Sequence, residues 1–149
     1  MAIYNVHVAS ITPATNDDNW ALTAGASKSG RILEVSWGGE VTSSAAMCTR
    51  NARSSGQTGA TTAATQAKTH PNSPTSGLVV ATTFATTQPT LDAGNLFAIS
   101  WNAHGGVVRW LAAPGQEWVI IGAATETVIS NRNSVGTSTS TYGLIWADD

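Results

Sequence analysis

Large apolar side chains alternate with small or polar ones along most of this chain, and the period is two rather than 3.6. That pattern predicts strands and not helices. It is clearest from Leu91 to Gly122, where Phe97, Ile99 and Trp101 fall on one face of a strand. Val108 and Trp110 repeat the pattern with Arg109 on the opposite side, and Trp118, Val119, Ile120 and Ile121 fill both faces, as a strand buried on two sides requires. Tyr4, Val6 and Val8 alternate with Asn5 and His7. Trp20 and Leu22 mark either a short second strand or a bend that plugs one end of the core. Leu33, Val35 and Trp37 are expected inward with Glu34 and Ser36 outward, and Val41 to Arg50 is a weaker strand of small residues. Leu78 to Phe84, Thr127 to Arg132 and Ser140 to Trp146 complete the set, Val128 and Ile129 falling on opposite faces.

Turn signals separate these runs: Pro13, Gly25 to Gly30, Gly38-Gly39, Gln88-Pro89 and Ser134 to Ser138. About eight short strands with a turn roughly every ten residues predict an all-β chain. The expectation is a single-domain antiparallel β-sandwich or jelly roll spanning residues 1–149. Residues 51–76 stand apart, with no apolar side chain larger than alanine and an excess of threonine, glycine and serine. Structureless loops beyond roughly 12–15 residues are uncommon in compact domains. This one reads as either a flexible surface loop or a contact arm ordered in an assembly.

Composition changes the picture in one respect. Charged residues make up 11% of the chain, against roughly 25% in an average soluble domain. So bland a surface fits a molecule much of which is covered by copies of itself or by a larger assembly. A net charge of -2 offers no basic field to nucleic acid or anionic lipid. The single Cys48 excludes an intrachain disulfide framework and reads as a small buried hydrophobe. No apolar run approaches the ~20 residues a membrane span needs, and MAIYNVHVAS lacks the features of a secretion signal. Synthesis in a host cytoplasm is expected.

The candidate chemistry is thin. His104-Gly105-Gly106 has the look of a lipase oxyanion loop, but no Gly-x-Ser-x-Gly elbow accompanies it, and a hairpin turn explains the glycines. Gly25 to Gly30 has phosphate-loop spacing but lacks the following Lys-Ser/Thr pair and leads into a strand, so it is a turn. His7, His70 and His104 are too scattered for a metal motif, and no cofactor is expected. Tryptophans 37, 101, 110 and 118 are in phase with apolar neighbours, which leaves Trp20 and Trp146 as candidates for an exposed sugar-stacking site. Arg50 and Arg53 lack interleaved aromatics, so nucleic-acid binding is not expected.

The last strand, Ser140-Thr-Tyr-Gly-Leu-Ile-Trp146, resembles the closing strand of trimeric jelly rolls of the tumour-necrosis-factor and complement-C1q type, and Leu91-x-x-Gly94-Asn95 resembles a strand entry of the same folds. The profile as a whole resembles the head-decoration, or cement, proteins of tailed bacteriophages: a Thr/Ser/Ala/Gly-rich β-domain of low charge. That resemblance implies a non-enzymatic homotrimer on the capsid surface of a virion, bound to the major capsid protein lattice. The expected subunit interface is Trp118, Ile120, Tyr142, Leu144 and Trp146; the expected lattice contacts are Met1, Ala2, Ile3, Arg50, Arg53, Lys68 and His70. The alternative is a glycan-binding β-sandwich of a fibre tip or adhesin.

Overall fold

In the computed structural model, which describes residues 1–13, 18–55, 61–84, 89–122 and 128–149, the period-two runs form twelve strands. They are β1 (Ala2–Ile11), β2 (Asp18–Ala24), β3 (Ser29–Gly39), β4 (Ala46–Ser55), β5 (Thr61–Ala63), β6 (Ala67–Lys68), β7 (Leu78–Phe84), β8 (Thr90–Asn102), β9 (Val107–Leu111), β10 (Trp118–Ile121), β11 (Val128–Val135) and β12 (Ser140–Asp148). All pairings are antiparallel and build two sheets packed face to face. One runs β10-β3-β12-β1-β6, with β9 also on β3; the other runs β5-β7-β2-β11-β4-β8. Setting β5, β6 and β7 aside, and counting β9 and β10 as one interrupted strand, leaves eight positions. Their order, first-eighth-third-sixth over second-seventh-fourth-fifth, is that of a jelly roll.

The remaining strands come from one excursion. β4 and β8 pair directly, and the chain between them travels to the far edge of the sandwich, where β6 joins β1 and β5 and β7 extend the sheet beyond β2. Residues 51–76 are therefore not one loop. β4 continues to Ser55, because Asn51 and Ser54 are buried inside the sheet by polar partners rather than by apolar contact.

Between the sheets lie Tyr4, Val6, Trp20, Leu22, Ile32, Val35, Trp37, Leu78, Trp101, Ile120, Ile129 and Trp146, all buried. An aromatic cluster closes the β8–β10 edge, with Phe97 against Trp37 at 5.9 Å and Trp110 stacked on Trp118 at 3.8 Å. A polar layer lies between the sheets beside this core. Asn19 donates through Nδ2 to Oδ1 of Asn131 (2.8 Å) and of Asn133 (2.9 Å), and Asn131 donates to Asn51 Oδ1 (2.9 Å). Trp101 Nε1 donates to Thr49 Oγ1, which donates on to Asn133 Oδ1 (both 3.0 Å). The Tyr142 hydroxyl reaches the same Asn133 oxygen across from the other sheet.

Four expectations change. Leu33 does not point inward: a bulge opposite Ile145 and Trp146 puts Ile32 and Val35 inside and leaves Leu33 half-buried. β10 is buried on one face only, since Val119 and Ile121 are exposed. His104-Gly105-Gly106 is not a hairpin but an arch between sheets, because β8 pairs with β4 and β9 with β3. Gly105 there adopts φ 62°, a left-handed conformation that suits glycine. Cys48 is half-buried on the outer side of β4 instead of being part of the core.

Burial pushes the Tyr142 phenol well above its ordinary value, more than its hydrogen bonds with Ser140 and Asn133 lower it. The folded state therefore resists ionisation that the unfolded chain undergoes near pH 10, so stability is full below that pH and falls above it. Denaturant titrations between pH 8 and 11 are expected to show this decline, at up to about 1.4 kcal/mol per pH unit. Tyr142→Phe is expected to make it shallower, leaving the part due to Tyr4, whose phenol is also raised by burial; an unchanged slope would place the alkaline sensitivity elsewhere.

Candidate functional site

The start of β1, the end of β12 and the segment after β6 converge on one cleft. The β1–β12 register places Ala2 opposite Asp148, so the two strands finish side by side. β6 then lies along the outer edge of β1, with Lys68 opposite Tyr4 and Ala67 opposite Asn5. Thr69 extends the contact by donating both its backbone N–H and its hydroxyl to Ile3 O. Beyond it, His70 to Ser73 makes a turn closed by Ser73 N–H to His70 O at 3.0 Å, while Asn72 N–H donates to the imidazole Nδ1 at 3.3 Å.

Asp148 holds the far side of this segment. Its two carboxylate oxygens accept from the Ser76 hydroxyl (2.9 Å) and the Gly77 N–H (2.8 Å). Ser76 Oγ in turn accepts from Leu78 N–H and from Trp146 Nε1, each at 3.1 Å. The Tyr4 hydroxyl donates to Pro74 O at 2.9 Å, and burial, then the negative charge of Asp148, raises its pKa. Arg31 donates through Nε (2.9 Å) and a terminal nitrogen (2.6 Å) to Asp149 Oδ1, the latter contact also an exposed ion pair.

The resulting cleft has a volume of about 640 Å³. Met1, Ala2, Tyr4 and Pro74 give it apolar walls, and His70, Asn72, Ser73, Asp148 and Asp149 a polar rim. Its carboxylates are committed to holding the surrounding segments, so what the cleft offers is shape, a polar rim and apolar wall. Among the described residues no group of three histidine, cysteine or acidic side chains is placed to hold a metal ion.

Of the expected lattice contacts, Met1, Ala2 and His70 line this cleft, and Ile3 and Lys68 lie on the β1–β6 edge beside it. Arg50 and Arg53 do not join them. Both lie on β4 in the other sheet, where Arg50 pairs across the strand with Arg132, itself held by Asp18 at 2.6 Å and donating to Pro89 O at 2.8 Å. Sequence reasoning misses Asp148, Asp149, Asn72, Ser73 and Pro74. Their role depends on β1 and β12 ending together, which no local pattern announces.

The expected subunit interface is corrected. Trp118, Ile120, Tyr142, Leu144 and Trp146 all point into the chain's own core, each at most 7% exposed. The alternation holds, but its apolar side serves the sandwich itself. The same strands turn Val119, Ile121, Gly143 and Ile145 outward, and Val107 and Leu111 on β9 are 78% and 62% exposed beside them. On that outer face His7, Gly143 and Ser36 lie in register across β1, β12 and β3. A hollow of about 260 Å³ opens over them, bordered by Asn5, Ile145 and Glu34. Glu34 is gripped at both oxygens by Arg109, at 2.5 and 2.6 Å. The two sugar-site candidates are corrected too: Trp20 and Trp146 are fully buried.

No family model matches the sequence, and no curated protein matches it.

Replacing Asp148 by Ala leaves the Ser76 hydroxyl and the Gly77 N–H without their acceptor. The expected cost is about 1–3 kcal/mol of stability, with faster amide exchange at Gly77 and Leu78. Hydrogen exchange resolved by residue checks this; protection that stays unchanged would mean the segment is held by its other contacts.

Proposed function

We propose that this chain is a structural protein of a virus particle, a head-decoration protein of the tailed-bacteriophage type, which assembles as a homotrimer on the capsid surface and binds the major capsid protein lattice. The observation that carries the reading is that Met1, Ala2 and His70 line one cleft, with Ile3 and Lys68 on the β1–β6 edge beside it, in a jelly roll of a chain poor in charge. The cleft is the proposed lattice contact. The outer face around Gly143 and Ile145, with the exposed apolar row of β9 and β10, is the proposed subunit contact in place of the buried residues.

The physical logic is avidity. Three copies joined about one axis present three small patches, and once the first is seated the others bind at a high effective concentration. Such a protein needs little area and no catalytic group on each copy. The glycan-binding alternative is left without its two candidate platforms, since Trp20 and Trp146 have no free face and Trp110 is half-buried against Trp118. No observation favours it.

Light scattering at micromolar concentration is expected to give a mass of three 15.3 kDa chains or a multiple of it; a clean monomer would sink the trimer. Lys68→Glu combined with His70→Glu is expected to leave that mass unchanged and to weaken binding to undecorated capsid shells. If each patch loses about tenfold, the loss compounds across three to as much as the order of a thousandfold. Undiminished shell occupancy would remove the cleft from the contact.

A further inference from the structure

The two sheets end in four edges, and three of them are blunted. β6 is two residues long and pairs only with Tyr4 and Asn5 of β1, whose remaining edge is broken by the irregularity between Val8 and Ile11, where Ser10 takes φ 56°; β5 is three residues long. The β9/β10 edge is interrupted between Leu111 and Trp118, a stretch that contains Pro114 and Gly115, and carries the charge of Arg109. Short strands, breaks and charges of this kind are the usual protection of a sheet edge. The fourth edge is β8, thirteen residues long and the longest strand of the fold.

β8 is protected over its first half only. Its register with β4 shifts twice between Leu91 and Phe97, and its one charge, Asp92, lies in the same stretch. From Phe97 to Asn102 the pairing runs without interruption, Phe97 opposite Asn51 through to Asn102 opposite Ala46. This six-residue segment contains no charge, no proline and no glycine, and its outer backbone edge pairs with no strand among the described residues. Left bare, such a segment is an aggregation hazard.

We propose that the Phe97–Asn102 edge pairs with the same edge of a second copy, antiparallel and centred on Ile99. In that register Ile99 meets Ile99 and Phe97 meets Trp101 on the sandwich side. Ala98 meets Ser100 on the outer side, where both are exposed. Every cross-strand pair near the centre is thus apolar with apolar or small with small, the combinations that stabilise a ladder. The contact is isologous, so it closes at two copies. The register also keeps the two Asp92 carboxylates outside the paired segment. This pairing uses a different surface from the proposed threefold contact and does not depend on it. If both form, two trimers join.

The test is the double variant Ala98→Glu/Ser100→Glu, which sets glutamates directly opposite each other twice in the paired state. Both positions are exposed within one chain, and Ala98 stands across from Arg50 of the same chain, which gives a carboxylate there a cation to face, so the fold is expected to survive. The control is Ala98→Thr/Ser100→Thr, a neutral strand-favouring pair. Light scattering is expected to show the native and threonine proteins at twice the mass of the glutamate variant. Amide exchange is expected to quicken at least tenfold in the glutamate variant alone, at the alternate residues of 97–102 whose N–H groups point away from β4. The variant's own mass, one chain or three, reports the threefold contact separately. An identical mass for all three proteins overturns the pairing, including the case where these amides become protected only on capsid shells, which would assign the edge to a strand of the partner.

Discussion

The constraint on which the rest of the molecule depends is the hydrogen-bonded amide layer inside the sandwich. Asn19, Asn131, Asn133 and Asn51 come from three neighbouring strands, and each reaches its partner only if those strands hold one register. A slip by one residue would turn these side chains to the other face and leave polar atoms stranded in the core, at about 1–3 kcal/mol apiece. Because Tyr142 bonds to Asn133 from the opposite sheet, the same layer also sets how the two sheets sit on each other. Apolar burial supplies most of the driving force and fixes register where one face of a strand is apolar, but the inward positions of β4 include Thr49 and Asn51, and there the amide layer adds the specification. The layer is not free of cost: Asn51 Nδ2, Trp20 Nε1 and Trp37 Nε1 are buried without a partner among the described residues.

This layer also marks where reading the sequence succeeds and fails. Strands whose inward side is apolar declare themselves, and β1, β8 and β12 keep the faces that alternation assigns to Tyr4, Trp101 and Leu144. β4 does not, because its inward positions include Thr49 and Asn51, so its second half reads as loop. Trp20 and Trp146 look unconstrained for a related reason: the neighbours that cover them arrive from distant strands. Bulges at Leu33 and beside Asn19 shift the phase without any local signal.

The candidate site was legible in pieces. The opening residues and the His70 region could be singled out as surfaces without core duty, but nothing in the chain order brings residues 1–3 to residues 68–74. The antiparallel pairing of β1 with β12 does so, together with an excursion that crosses the sandwich before β7 contributes Leu78 and Val80 to the core. The cleft wall and part of the hydrophobic interior therefore belong to one continuous segment.

That segment also decides how the molecule bears force. Two antiparallel strands that finish side by side would peel apart if pulled at that end, one hydrogen bond at a time. Here residues 69–77 act as a strap, fastened to β1 at Ile3 and Tyr4 and to β12 at Asp148 and Trp146. A load applied at the cleft has to break those fastenings together before the first rung can open. If the proposed lattice contact forms at the cleft, pressure from inside a shell would meet a clamp instead of a zipper.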